Sequence, residues 1–468
     1  MEQKRNKQIL VVLFIGVLMG ALDIAIVGPA LPAIRSRFQV PENTLTWLFG
    51  IYVLFNLIGT PLMAKLSDLY GRRSIYILDV VLFGVGSLVV SAANQWVGFP
   101  LVLVGRAIQG FGAGGIFPVA SAVIGDTFPA EKRGSALGLI GAVFGLAFLI
   151  GPILGGVILT IATWQWLFLI NIPIALIIIG LAWKVLPVSG RKNTKSFDWP
   201  GMIVLAGALA AFAYAINGIN TTDFFGSMLS LRVWPFLVAA ILLLFLLIRL
   251  ERRHANPILP GNLFNRSQLT RTYLLSAGAG WAEASLVFMP LLAVAALKVS
   301  DRTASFLLMP VVVAMGFGSP MVGRLLDKLG SRVVILFGTF VTALGMLLLS
   351  QFAASLAMFI IAGVLIGLGL SALLGAPIRF IMLNESRAQE RSVAQGVAAV
   401  FTSMGQLVGA AMVGAVAEST GLYTSAFLVI GLLAILLIVV AFGLKNAAAE
   451  RATVQANQSK SGSEPAAV

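Results

Sequence analysis

No cysteine occurs in the 468 residues, there is one histidine, and only 11% of the chain is charged. The first absence excludes disulfides, thiolate metal sites and cysteine nucleophiles. The second argues against a membrane enzyme, which needs His, Asp or Glu clustered at one interface. We therefore expect no enzymatic activity and no cofactor. The scarcity of charge decides the class. Soluble chains are about 25% charged and about 45–50% apolar, whereas this one is 59% hydrophobic, with a mean hydropathy of +0.98. Too few charges remain to cover the cores that such a length would fill, so the remaining surface must face lipid.

What charge there is has a strong sign, +14 net. In a soluble protein that balance would suggest nucleic acid. Here the basic residues come in short clusters between apolar runs rather than along one face, so no nucleic-acid partner is expected. At about 1.5 Å per residue, roughly 20 apolar residues cross a bilayer core of about 30 Å. By that ruler spans fall near 9–30, 45–64, 74–93, 99–125, 135–159, 164–186, 199–219, 233–250, 270–297, 304–323, 332–350, 355–383, 392–416 and 423–444. The runs are twice the length that a barrel strand needs, so the predicted class is an all-α polytopic membrane protein. The stretch from Ile9 to Ala30 is too long for a secretory signal core and contains Asp23, so it is read as the first span.

Orientation follows from lysine and arginine in the loops. Of 32 such residues, only Arg35, Arg37, Arg232, Lys298 and Arg302 fall on one side, and Arg106 and Arg379 lie within spans. All others belong to the opposite loops and termini. Both termini are therefore expected in the cytoplasm, which requires an even number of spans.

An internal repeat organises the chain. Ala64-Lys-Leu-Ser-Asp68-Leu-Tyr-Gly71-Arg72-Arg73 follows the second span, and Gly323-Arg-Leu-Leu-Asp327-Lys-Leu-Gly330-Ser-Arg332 follows the tenth. Leu66, Asp68, Gly71 and Arg73 find identical partners at one constant offset, which also carries Asp126, Glu131 and Lys132 onto Glu385, Glu390 and Arg391. A duplicated six-helix bundle accounts for both loops. The expected organisation is a six-helix half over 1–190, a linker with two inserted helices over 191–265, a second six-helix half over 266–445, and a disordered polar tail over 446–468.

Ionisable groups inside spans cost about 2.5–3.5 kcal/mol on insertion scales and default to function. Asp23 and Arg106 reach similar depths and can compensate each other. Glu283 lies mid-span with no base near it in sequence, an environment that favours the neutral acid. Asp79 is expected to pair with Arg72 or Arg73, and Arg379 to snorkel to the cytoplasmic interface. His254, beside Arg252 and Arg253, reads as a solvated residue.

Further motifs stand in order along the first half. They are Leu22-Asp23-Ile-Ala-Ile-Val27 with Ala30-Leu31-Pro32, then Arg106-Ala-Ile-Gln109-Gly110-Phe-Gly112. Gly141 and Gly145 lead to Gly151-Pro152-Ile-Leu-Gly155-Gly156, and Trp164-Gln-Trp166-Leu-Phe168-Leu-Ile-Asn171-Ile-Pro173 follows. With the repeated loop, these resemble the major facilitator superfamily, and within it the fourteen-helix drug:proton antiporters. The likeness covers roughly residues 9–445. It departs at Ala64, where glycine is usual, and at Gln165, where arginine is common.

The resemblance implies two six-helix bundles plus two inserted helices, alternating access around a midplane cavity, and export of amphipathic or cationic drugs. It implies a conformational latch at Asp68, Gly71, Arg72, Arg73, Asp327 and Arg332. The antiporter motif would comprise Gly145, Gly151, Pro152, Gly155 and Gly156, small residues that let helices approach around a proline that bends the helix. Asp23, Glu283 and Arg106 are the expected proton-coupling residues, with protons as the coupling ion. A small amphipathic substrate and the bilayer are the expected partners of a monomer in a bacterial cell membrane. A lipid or metabolite exporter, or an uncoupled facilitator, is the alternative.

Overall fold

With no water in the bilayer core, each span must satisfy its own backbone, which a helix does. The computed structural model describes residues 2–40, 47–94, 98–188, 197–219, 223–254, 256–299 and 301–462, and all regular structure among them is helical. The first half comprises α1 (Glu2–Phe38), α2 (Trp47–Tyr70), α3 (Arg72–Ser91), α4 (Phe99–Thr127), α5 (Ala130–Ile161) and α6 (Trp166–Val185). The inserted pair is α7 (Trp199–Asn217) and α8 (Trp234–Glu251). The second half comprises α9 (Ser267–Leu297), α10 (Met309–Leu329), α11 (Ser331–Phe352), α12 (Leu356–Glu385), α13 (Arg391–Thr420) and α14 (Tyr423–Phe442).

Thirteen of the described helices are long and apolar enough to cross a membrane. α5, with 32 residues and no charge from Gly134 to Ile161, adds a fourteenth by the same measure of length. The α2–α3 and α10–α11 turns are equivalent in the repeat and share one cause. Gly71 and Gly330 adopt φ of 96° and 82°, a region open to glycine at no steric cost.

Two spans of the second half are discontinuous. α9 passes through a 3₁₀ turn at Leu286–Phe288 before Met289–Leu297 resumes with Pro290 in its first turn. α12 breaks after Leu373 and restarts at Ala376–Glu385, with Pro377 in the first turn. Proline tolerates that position because it has no N–H to leave unpaired. Glu283 lies in the last turn of the first segment of α9, and Arg379 in the first turn of the second segment of α12.

Part of the tail expected to be disordered is helical, and residues 463–468 of it lie outside the described residues. Residues Ala447–Gly462 form a helix, α15, held against the second half. Glu450 accepts from the Ser331 backbone N–H at 2.9 Å and from its hydroxyl at 2.5 Å, capping the start of α11. Arg451 donates to the Lys328 carbonyl at 3.1 Å, and Lys445 pairs with Glu385. These contacts are hydrogen bonds to helix termini rather than apolar burial, and polar composition does not announce them.

Candidate functional site: a buried ion pair, a central cavity and a cross-half latch

Glycines set the geometry of the first half. A Cβ on Gly110 would lie 2.2 Å from the Tyr52 carbonyl, and one on Gly112 would lie 2.6 Å from the Asp79 carbonyl. α4 therefore packs backbone-close to α2 and α3. This closeness brings Arg106 into contact with Asp23 of α1. Its Nη1 donates to Asp23 Oδ2 at 2.5 Å and to Gln109 Oε1 at 3.0 Å, and its Nε donates to the Leu48 carbonyl at 3.2 Å.

The guanidinium lies 4.2 Å from the Tyr52 ring centroid, a cation–π arrangement. Gln109 and Asn171 each donate to Asp23 Oδ1 at 3.0 Å and also reach Ser87 Oγ. Asp23 and Arg106 are 2% and 0% exposed, so the pair is sealed inside the first half. Sequence reasoning missed Ser87, Gln109 and Asn171 as its ligands. Gln109 and Asn171 stood within quoted motifs, but Ser87 carried no local signal.

A cavity of about 230 Å³ lies between the halves, bordered by Tyr52, Asn56, Phe117, Glu283, Arg379 and Gln406. Glu283 is not without a partner, since Gln406 of α13 donates to its Oε2 at 2.6 Å. That partner is neutral, and among the described residues the carboxyl has no ion pair like the one that holds Asp23. Arg379 does not snorkel to the interface. It is buried, donates to the Gln395 carbonyl at 3.1 Å, and lies 4.4 Å from the ring of Phe117 in the opposite half. It lies in the segment that restarts after the break in α12, a break that Gly375 and Pro377 mark in the sequence.

Asp79 also departs from expectation. It is fully buried, neither carboxyl oxygen has a hydrogen-bond partner among the described residues, and the group packs against Gly115. Arg72 is occupied elsewhere, and Arg73 lies 4.7 Å from the Trp183 ring.

At the end of the bundle carrying the two repeated loops, each aspartate reaches into the opposite half. Asp68 accepts from the backbone N–H groups of Ser392 and Val393 at 3.3 and 3.0 Å, at the N-terminus of α13. Asp327 accepts from Gly134 and Ser135 N–H, both at 3.0 Å, and from the Ser135 hydroxyl at 2.5 Å, in the second turn of α5. A helix N-terminus presents unpaired donors and partial positive charge, so the Asp68 carboxylate meets a site made for an anion at the start of α13, whereas Asp327 meets the second turn of α5 and the Ser135 hydroxyl. Arg72 pairs with Asp68 at 2.5 Å and with Asp126, and Asp126 also pairs with Arg391 of the second half at 2.5 Å. Arg73 and Arg332 do not join this junction. Arg332 lies 5.9 Å from the Phe442 ring.

The glycines of α5 divide by contact. A Cβ on Gly145 would lie 2.6 Å from Gly316 Cα of α10, and one on Gly151 would lie 2.4 Å from Ala25 Cβ of α1. Gly155 is buried, whereas Gly156 is exposed and would meet nothing within 4 Å. The helix continues through Pro152, whose side chain lies outside the described residues. Gly134 and Gly138, which sequence reasoning passed over, also face α10. At the equivalent α2–α13 contact, Ala64 stands in place of glycine and faces Gly396, where an added Cβ would lie 3.1 Å from the Ala64 methyl. The partner helix thus supplies the space that Ala64 takes up.

These contacts predict opposite outcomes for two motif glycines. Gly145→Ala should destabilise the protein by about 1–3 kcal/mol through overpacking. Gly156→Ala should be neutral or mildly stabilising, because alanine favours the helix. Thermal unfolding in detergent checks both, and equal effects would show that the α5–α10 contact is not the constraint.

The model of the Major Facilitator Superfamily matches residues 13–281 and 269–466. An uncharacterized MFS-type transporter, YfiU of Bacillus subtilis, is 32% identical over 86% of this chain and 78% of its own length. Multidrug resistance protein 3 of the same organism is 29% identical over 91% of this chain and 81% of its length. Multidrug resistance protein Stp of Mycobacterium tuberculosis is 28% identical over 86% and 74%. The crystal structure of the human organic anion transporter MFSD10 (TETRAN) superposes with a TM-score of 0.71 over 93% of this chain and 99% of that one. At 15% identity it speaks for the fold alone. The chain belongs to the Major Facilitator Superfamily and is a multi-pass membrane transporter of small molecules, not an enzyme.

Proposed function

We propose that the protein is a proton-coupled exporter of amphipathic, preferentially cationic small molecules, working by alternating access. The observation that carries this reading is Glu283, a carboxyl just before the break of α9 that borders the central cavity and whose hydrogen-bond partner among the described residues is Gln406. A carboxyl so placed can hold a proton or face a cationic cargo, but not both, and that exclusion is the minimum requirement of an antiporter. Relatives named as multidrug resistance proteins support the cargo class. A proton gradient supplies the drive, at about 2.3 kcal/mol per elementary charge per 100 mV.

Asp23 takes a different part in this reading. Its fixed pairing with Arg106 makes it a structural and field-setting group, while Glu283 carries the exchangeable proton. Asp68 and Asp327 act as the latch of the state closed at the basic, cytoplasmic end. The protein is placed in the cell membrane with both termini inside.

The reading is tested in proteoliposomes with tetraphenylphosphonium as the probe and an imposed pH gradient. Accumulation against the proton flow, abolished by a protonophore, is the expected result. Equilibration that ignores the gradient would instead make the protein a facilitator.

The latch has its own expected outcome. Hydrogen bonds to a charged acceptor contribute about 1.5–3 kcal/mol each, and about 1.4 kcal/mol is tenfold in population. Asp68→Asn should therefore raise access to a cysteine at Thr402, which borders the cavity, roughly tenfold from the latch end. Asp68→Asn with Asp327→Asn should exceed either change alone. The absence of native cysteine makes the labelling clean. Unchanged labelling in the double variant would remove the latch role.

A further inference from the structure

A second cavity lies away from the central one, between the inserted pair and the seam where the two halves meet. It measures about 930 Å³ and is walled by Leu205 and Leu209 of α7, Leu244 and Ile248 of α8, and Val400 and Phe401 of α13. α8 contributes almost nothing to closing it by packing, since only its Ala240 and Leu247 are buried. The volume is several times that of the roughly 150 Å³ apolar cavity that stays empty and dry in a folded protein. Water gains no hydrogen bonds from such walls, and the medium around a spanning helix is lipid.

The polar groups of this cavity are confined to one end, at Glu251, Arg252 and Asn265. Glu251 is engaged there, accepting from the Leu259 N–H at 2.7 Å. Lys65 ties the same loop to α2 through Asn256 at 3.0 Å and the Pro257 carbonyl at 2.6 Å. Arg252 and Arg253 are exposed, and neither forms an ion pair within 4.0 Å among the described residues. An apolar cleft between helices, ending in unneutralised arginines at the basic side, matches the pattern that binds anionic headgroups in the inner leaflet.

We infer that this cleft is a binding site for one anionic glycerophospholipid of the surrounding membrane, with its acyl chains between α7, α8 and α13 and its phosphate on Arg252 and Arg253. The site stands on the fold and on the charge at its mouth, and it does not depend on which cargo the central cavity takes. Its floor includes Pro61 of α2 and Val400 of α13, one from each half, so the bound lipid touches both surfaces that rocking would move.

The test is lipid retention by the full-length protein. The protein is reconstituted in vesicles of equal phosphatidylglycerol and phosphatidylethanolamine, re-extracted in mild detergent, and weighed by native mass spectrometry. Wild type should keep one phosphatidylglycerol in clear preference to phosphatidylethanolamine. Arg252→Gln with Arg253→Gln should lower that retention about tenfold. Leu244→Trp, which fills the cleft from the lipid-facing helix, should abolish it, with an unchanged gel-filtration profile showing that the variant is folded. Ile241→Trp, at a more exposed position of the same wall, repeats the test should Leu244→Trp fail to fold. Equal retention of the two lipids, or retention unchanged in the arginine variant, overturns the site. Loss in the arginine variant but not in the tryptophan variants leaves only a surface charge effect and also overturns it. So does displacement of tetraphenylphosphonium, rather than phosphatidylglycerol, by the tryptophan.

Discussion

Arg106→Gln should be among the most damaging single changes in the protein, costing about 3–5 kcal/mol of stability. The guanidinium is fully buried and bonded to Asp23, Gln109 and the Leu48 carbonyl. Removing it leaves the Asp23 carboxylate in a low-dielectric interior with only neutral amide donors from Gln109 and Asn171. Asp23→Asn should also be costly, because it strands the arginine. The informative variant is the double one. With both charges gone, the remaining amides can bond one another, and replacing a whole buried pair is often nearly neutral. Thermal unfolding of the two single variants and the double should therefore show strong non-additivity, with the double more stable than Arg106→Gln alone. Additive losses would mean that the two residues act independently despite their contact.

The class and the spans were legible in the sequence because lipid imposes one solution on a long apolar run. The repeated loop was legible too, since Gly71 and Gly330 are demanded by the same left-handed turn in each half. What Asp68 and Asp327 touch was not. Their partners are backbone N–H groups of Ser392, Val393, Gly134 and Ser135, and an N–H leaves no trace in residue identity. Arg73 and Arg332 sat in the same motif as Arg72, yet their neighbours are aromatic rings of their own half.

Depth along a helix placed Arg379 near the membrane edge, and the discontinuity of α12 reversed that placement. The Asp23–Arg106 contact was within reach of reasoning because opposite charges in lipid seek each other. Asp79 shows the limit of that argument, since it is buried with no hydrogen-bond partner among the described residues although arginines lie two turns away along its helix.

Coupling is the central claim, and Glu283 is where it is most exposed to test. Asp23 is held by a formal charge and sealed from the cavity, whereas Glu283 borders the cavity and is held by one amide. Glutamine at position 283 keeps the shape and a hydrogen-bonding amide but cannot exchange a proton. Glu283→Gln should therefore abolish accumulation of tetraphenylphosphonium driven by a pH gradient, a loss of at least about tenfold. Exchange of labelled for unlabelled probe without a gradient should continue, because the cavity walls and the latch are intact and only the thermodynamic drive is gone. The decisive measurement is this pair of fluxes in one proteoliposome preparation of Glu283→Gln. Gradient-driven uptake lost with exchange retained is the predicted result, and gradient-driven uptake at the wild-type level would contradict the account.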